Sequence, residues 1–279
     1  MRAIDGRAVA ATLNAATAAA AVALDTPPQL HIVLPTADES SAWYVRSIRR
    51  AAEKVGVATT VERVTSGAGI ESRLDALSAD PGVHAIVCQT PLPAGVRLAD
   101  VGAHIDPAKD VDGANPLSLG RLAGGLPAYP PATAAAVVEL LRQDGVPLDG
   151  TRAVVIGRSV VVGKPVALLL LAENATVTVC HSHSAGLPDI CRAADVLVAA
   201  AGRPGLVDGS YVRPGAVVVD VGINPTPGGG VVGDVDATSV EPVAGALTPV
   251  PGGVGPVTTA MLLGHTVAAA TAAGGVLSG

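Results

Sequence analysis

RAVVIGRSVVVGKP, residues 152–165, runs from a row of apolar, mostly β-branched residues into one glycine. A second glycine then heads the apolar stretch VGKPVALLLLAEN, 162–174. That order predicts a strand, a tight turn and a helix. Gly157 and Gly163 are spaced like the outer glycines of G-x-G-x-x-G, with one residue added and the middle glycine missing. Alone this is a weak dinucleotide signal, since a plain strand-turn-helix connection leaves the same trace. Its surroundings decide for a parallel sheet. ATVTVCHS (175–182), ADVLVAAAG (194–202) and GAVVVDVG (215–222) repeat the short strand pattern, and VVGDVD (231–236) adds a turn-and-strand element. Such alternation builds a sheet covered by helices, with ligands at the carboxyl ends of the strands.

In that setting the turn acquires chemistry. Phosphates sit on the N-terminus of the first helix of such a unit. Arg158 and Ser159 stand in the turn, where a guanidinium can pair with a phosphate. A site that prefers NAD usually carries an acid at the end of the next strand. Here that strand ends CHSHS (180–184), with no carboxylate to repel a 2′-phosphate. Ser182 can donate a hydrogen bond, so the expected cofactor is NADP rather than NAD. His181 and His183 either add positive potential there or form a solvated strand end.

The N-terminal half repeats the alternation. LHIVLP (30–35), VATTVERV (57–64) and HAIVCQTPLP (84–93) read as strands, and WYVRSIRRAAEKVG (43–56) and SRLDALSAD (72–80) as the helices between them. This predicts a second parallel sheet with right-handed crossovers. The Gly- and Pro-rich segment 107–133 reads as loops, and AAAVVELLRQDG (134–145) as a helix linking two domains. TPVPGGVGPVTTAMLLGHTVAAAT (248–271) is a glycine-rich loop opening a helix. The fold class is therefore α/β with two domains.

Composition agrees. The 279 residues are 49% hydrophobic and 15% charged, with four aromatic side chains in all, so Val, Ala and Leu must build the core. The net charge is −6 and no basic tail or nucleic-acid motif is visible, which argues against nucleic acid as a partner. The three cysteines, Cys88, Cys180 and Cys191, show no CxxC spacing and fit a reduced, cytosolic setting. The alanine-rich N-terminus carries Asp5 and Arg7 and lacks the layout of a signal peptide. No apolar run free of Gly, Pro and charge reaches membrane-spanning length.

Three further positions stand out. Gln89 lies at the carboxyl end of a strand, where it can orient a polar heterocycle or cap its own loop. Asp110 and Asp112 in KDVDG share a face of an extended segment, but no nearby His, Cys or acid completes a metal site. One working aspartate with the other in a turn hydrogen bond is the expected arrangement. Tyr44 and Ile48 are one helical turn apart and share a face.

The motifs YVRSI-RRAAEKVG, CQTPLP, DPAKDVDGANPLSLGRL, PPAT, GRSVVVGKP, ENATVTVCHS, VVVDVGIN, VVGDVD and TPVPGGVGPVT occur in this order. Together they closely resemble the bifunctional methylenetetrahydrofolate dehydrogenase/methenyltetrahydrofolate cyclohydrolase (FolD) family over nearly the whole chain. The resemblance implies a cytosolic homodimer. Residues 1–133 and the last helix, 257–279, would form the folate side of a cleft, and 134–256 a Rossmann-like NADP domain. It implies oxidation of 5,10-methylenetetrahydrofolate to the methenyl form, then hydrolysis to 10-formyltetrahydrofolate. Carried over by position, Tyr44 lies against the folate ring, Gln89 belongs to the Q-L-P-L-P motif with Thr90 for leucine, and Asp112 binds the pterin. Gly157, Arg158, Ser159, Ser182 and Ile223 match nucleotide contacts, and Gly253, Gly255, Pro256 and Thr258 the loop closing over the cleft.

One departure matters chemically. The family pattern is tyrosine, three residues, then the lysine assigned to the cyclohydrolase step; this chain has Ile48 there. Lys54 is ten positions beyond Tyr44, about 280° around the helix, and Lys109 and Lys164 belong to other motifs. Arg49 is about 140° away and stays protonated. Lesser departures are the LPTADESSAWY entry and PPATAAA. Three readings follow: a dehydrogenase with weak or lost hydrolysis, a fully bifunctional enzyme, and a diverged NADP-binding protein with another pterin-like substrate or a non-catalytic role.

Overall fold

A computed structural model describes residues 1–226 and 228–276. In chain order the elements of the N-terminal half are β1 (Arg2–Ala3), α1 (Gly6–Val22), β2 (Gln29–Leu34), α2 (Glu39–Lys54), β3 (Ala58–Arg63), α3 (Gly67–Ala79), β4 (Ala85–Cys88), α4 (Leu98–Gly102) and α5 (Pro116–Ala123). Then come α6 (Ala132–Gln143), β5 (Arg152–Ile156), α7 (Gly163–Ala172), β6 (Thr176–Cys180), α8 (Leu187–Arg192), β7 (Val196–Ala199) and β8 (Val217–Asp220). The chain closes with β9 (Asn224–Pro225), β10 (Val231–Val232), α9 (Ala237–Val240), β11 (Ala246–Leu247) and α10 (Val254–Val276).

Two compact units result. The first comprises Met1–Ala10 and Thr133–Thr258. Its sheet has six parallel strands in the order β1-β11-β8-β7-β5-β6. Val154, Ile156, Leu197, Ala199 and Val218 form its dry centre, as expected of strands covered on both faces. The second comprises Ala11–Ala132 and the chain from Thr259 onward, around a parallel three-stranded sheet β3-β2-β4.

The structure departs from the sequence reading at three places. Residues 1–10 were expected with the folate side, yet Arg2 and Ala3 pair in parallel with Ala246 and Leu247 and so extend the other sheet. The segment 107–133 is not all loop: it contains α5, which Pro116 opens and the Asn115 side chain caps by accepting from Leu117 N–H at 2.8 Å. Loop-forming residues here also make a helix start. The last helix begins at Val254 rather than 257, with Gly255 and Pro256 in its first turn, where a proline forfeits no helical hydrogen bond. Residues 277–279 lie outside the described ones. By length and composition alone Val254–Gly274 could cross a membrane, but half of it is buried, and Leu262, Leu263 and Val267 join the core of the second unit.

Candidate active site

Three parts of the second unit meet at KDVDG. Asp110 is fully buried. It accepts the N–H groups of Ala114 and Asn115 at 2.8 and 2.9 Å and the Ser118 hydroxyl at 2.6 Å. Burial raises its pKa and these three donors oppose the rise. Its acceptor capacity goes into holding the turn and the start of α5. Asp112 takes one such donor, Ala132 N–H at 3.1 Å on Oδ1. Burial lifts its pKa to about 6, with Ala132 opposing and Asp110 adding to the shift. It is thus a carboxylate at neutral pH with lone pairs left for a ligand.

The turn is clamped from both sides. Gly113 has φ +62°, and a Cβ there would come within 2.6 Å of the Pro131 ring. His265 on α10 donates from Nδ1 to the Val111 carbonyl at 2.9 Å, and the Tyr129 ring lies 5.3 Å from its imidazole. Burial depresses the His265 pKa while the Val111 bond opposes.

Tyr44 is tied into the same region. Burial raises the pKa of its phenol, the Asp112 charge adds to this, and a hydrogen bond with Thr259 opposes it. The phenol therefore stays protonated at neutral pH, within electrostatic reach of Asp112. The first turn of α2 is anchored by Asp38, which accepts from Ser41 N–H at 3.0 Å. The Ser41 hydroxyl donates to the Thr90 carbonyl at 3.2 Å, which joins α2 to the loop after Gln89. Gln89 is buried past the end of β4, its N–H on the Val33 carbonyl at 2.9 Å. Among the described residues no hydrogen bond joins it to Tyr44, whose phenol bonds to Thr259. Ile48 is wholly buried in an apolar cluster with Leu30, Val45, Ala52 and Leu263, and Tyr44 packs against that cluster.

The first unit carries the glycine turn. Gly157 has φ +133°, and a Cβ there would lie 2.1 Å from the Ala200 carbonyl oxygen. A Cβ on Gly163 would lie 2.2 Å from the Gly157 carbonyl oxygen. Both positions exclude side chains, which leaves bare backbone at the head of α7, the cradle a pyrophosphate needs. The Ser159 hydroxyl accepts the N–H groups of Val162 and Gly163 at 3.1 and 3.3 Å. Arg158, Ser182 and Ile223 are exposed at the carboxyl ends of their strands. His181 Nδ1 accepts His183 N–H at 3.2 Å, so this imidazole helps shape the turn. Gly253 is packed against the chain, since a Cβ there would meet Thr248 and Pro249 at 2.7 Å. Gly255, Pro256 and Thr258 lie in the opening turns of α10, with Thr258 Oγ1 on the Val254 carbonyl at 3.2 Å. Among the described residues no group of His, Cys, Asp or Glu is placed to hold a metal ion. The three thiols are free and buried; burial pushes Cys88 and Cys191 up to about 12.

Two residues that sequence reasoning missed organise this end of the sheet. Asp220 accepts the N–H groups of Gly222, Asp234 and Val235 at 2.9, 2.9 and 3.0 Å. Asp234 accepts those of Ala201, Gly202 and Arg203 at 2.6, 2.8 and 2.9 Å, and the Asn224 amide at 2.9 Å. Together they hold the turn after β7 and the segment carrying Ile223. The visible signal was an acid beside glycine in both DVG and GDVD. Asp220→Ala orphans three buried donors at about 1–3 kcal/mol each. The expected loss is on the order of 3–5 kcal/mol, read as a lower urea midpoint at unchanged slope.

The first unit is by fold and cradle a dinucleotide-binding domain, and the second an α/β domain with a buried acid–phenol site. The comparisons with known proteins agree. Residues 131–273 match the family model "Tetrahydrofolate dehydrogenase/cyclohydrolase, NAD(P)-binding domain", and residues 4–112 match its "catalytic domain" counterpart. A "Bifunctional protein FolD" of Parafrankia sp. is 59% identical over 274 residues, covering 97% of this chain and 99% of that one. The bifunctional FolD crystal structure from Campylobacter jejuni superposes with a TM-score of 0.94 at 36% identity, covering 98% and 99%. The Trypanosoma brucei FolD, solved with NADP and an inhibitor, gives 0.91 at 38% identity, covering 97% of each chain. The chain belongs to the tetrahydrofolate dehydrogenase/cyclohydrolase family.

Proposed function

We propose that this protein is an NADP-dependent 5,10-methylenetetrahydrofolate dehydrogenase whose cyclohydrolase activity is weak or lost. The observation that carries the second half is Ile48, wholly buried in apolar surroundings on the helical face it shares with Tyr44. NADP supplies the ring that accepts the hydride. The protein's part is to hold the two partners. Asp112 offers its remaining lone pairs to the N–H donors of the pterin, and the protonated Tyr44 phenol lies beside it. Gly157 and Gly163 let backbone approach the pyrophosphate, with Arg158 and Ser159 at the same turn. The folate nitrogens drive the hydride out with their own lone pairs. Positioning alone is worth about 7–11 kcal/mol, and no titratable group at position 48 is required.

Hydrolysis of the methenyl product makes a different demand. Water must add to the bridging carbon while protons move, and a positioned acid–base group contributes about 10²–10⁴-fold. Isoleucine has neither a proton nor a lone pair. The second reading, full bifunctionality through water and Gln89, is favoured by the name of the 59%-identical relative. A two-step assay separates them: with methylenetetrahydrofolate and NADP, the native protein is expected to make NADPH while methenyl product accumulates to its uncatalysed decay. Enzymatic clearance of that intermediate overturns the proposal.

The cofactor preference has its own test. Ser182→Asp places a carboxylate where a 2′-phosphate is expected. The variant should lose NADP efficiency by about 10²-fold, as two like charges a few ångströms apart require. NAD efficiency should hold or rise; equal losses with both would remove Ser182 from the phosphate site.

A further inference from the structure

Val111 stands between the two acids of KDVDG, and its carbonyl is where α10 grips this turn. The bond from His265 Nδ1 is 2.9 Å long. A carbonyl cannot donate, so Nδ1 carries the proton, and burial favours the neutral ring. Among the described residues no other donor reaches the Val111 carbonyl. The imidazole is itself held, with the Tyr129 ring 5.3 Å away and tilted by 40°. So is its helix: Leu262, Leu263 and Val267 are buried in the apolar cluster that also contains Val111 and Ala132.

What the bond fixes is a peptide unit. The atoms from the Val111 Cα to the Asp112 Cα lie in one plane. Holding the Val111 carbonyl at one end therefore sets the direction of the Asp112 N–H and the place of its Cα at the other. The Asp112 side chain has a second handle, the Ala132 N–H at 3.1 Å on Oδ1. Both handles draw on one short segment. Tyr129 steadies the imidazole, the Pro131 ring lies against Gly113, and Ala132 holds the carboxylate. Asp110 needs no such support, since Ala114, Asn115 and Ser118 all donate to it.

We propose that His265 is a positioning residue for the folate site: through the Val111 carbonyl it fixes the backbone of Asp112 and so aims that carboxylate at the pterin. The role rests on the reading of Asp112 as the pterin ligand. Charge is not the means, so a neutral donor of the right reach should serve as well. The amide nitrogen of asparagine stands as many bonds from the backbone as Nδ1 does. Glutamine is the same group one methylene longer, and its nitrogen falls where Nε2 stands. Leucine fills similar space with no donor.

The test compares H265N, H265Q and H265L in the full-length protein. For methylenetetrahydrofolate, kcat/KM should fall about tenfold or more in H265Q and H265L and stay within about twofold of native in H265N. The loss should fall on KM rather than kcat, because the pterin contact is made in ground state and transition state alike. The KM for NADP should not move. H265L/D112N should be no slower than D112N alone, as residues acting through one group require. A ligand-free readout runs beside these. In the ¹³C carboxyl spectrum, where D112N identifies the Asp112 signal, the native midpoint is expected at about 6. H265Q and H265L should lower it by about 0.5 pH or more, as a freed carboxylate turns toward water, and H265N should leave it in place. If the native protein makes no NADPH, the dehydrogenase reading fails, and this titration alone decides whether His265 positions Asp112. Equal effects of asparagine and leucine overturn the proposal. So does an unmoved titration in H265L, or additive losses in H265L/D112N.

Discussion

Ile48→Lys is expected to raise hydrolysis of methenyltetrahydrofolate by about 10²–10⁴-fold, the range a positioned acid–base group supplies. NADPH formation should change little, because hydride transfer draws on alignment and not on a proton donor at this position. The gain carries a stability cost. Ile48 is wholly buried among Leu30, Val45, Ala52 and Leu263, so an ammonium entering there loses hydration before it finds a partner. A loss on the order of 1–3 kcal/mol is expected, seen as a lower urea midpoint. Ile48→Met conserves volume and adds no base; it should keep both stability and the native pattern of product accumulation. A folded lysine variant that still accumulates methenyl product would show that something other than position 48 limits hydrolysis.

Asp112→Asn is expected to lower kcat/KM for methylenetetrahydrofolate by about 10²-fold, as removing one charged partner of a buried hydrogen-bonded pair does. The pH profile distinguishes this from general damage. With the Asp112 pKa at about 6, the native kcat/KM should fall roughly tenfold per unit below that pH as the acceptor is protonated. The asparagine variant should lack this acid limb. The ligand-free stability should move the opposite way. Burial lifts the Asp112 pKa above its ordinary value, so the folded chain holds that proton more tightly than the unfolded chain does. Its contribution is full below pH 3.8 and is lost as pH rises through about 6. Asp112→Asn should therefore melt higher than the native protein at pH 8 without ligand, which is the signature of a charge kept for binding. A variant that loses activity and stability together, with its acid limb intact, would make Asp112 structural.

Much of the architecture was legible because periodicity is local. Short β-branched runs alternating with helix-length stretches announced parallel sheets before any contact was known. Gly157 and Gly163 marked the turn by their spacing; the constraint on Gly163 is local, since it faces the backbone of Gly157 and Arg158, whereas Gly157 faces the Ala200 carbonyl beyond β7. The helical repeat alone put Tyr44 and Ile48 on one face, and the structure places Tyr44 against the cluster that holds Ile48.

What the sequence left open was decided by atoms far apart in the chain. The spacing of KDVDG did not rank its two acids, and only the family resemblance singled out Asp112; in the structure Asp110 is the clamp because Ala114, Asn115 and Ser118 spend its lone pairs, which leaves Asp112 with one donor from twenty residues away. Thr259 and His265 joined the site only when α10 packed into the second unit, and the first residues of the chain found their strand beside Ala246 and Leu247. Composition and spacing determined which elements this chain forms and that position 48 has no base. Tertiary packing decided which carboxylate keeps lone pairs unspent, because a buried acid's capacity is set by the donors around it.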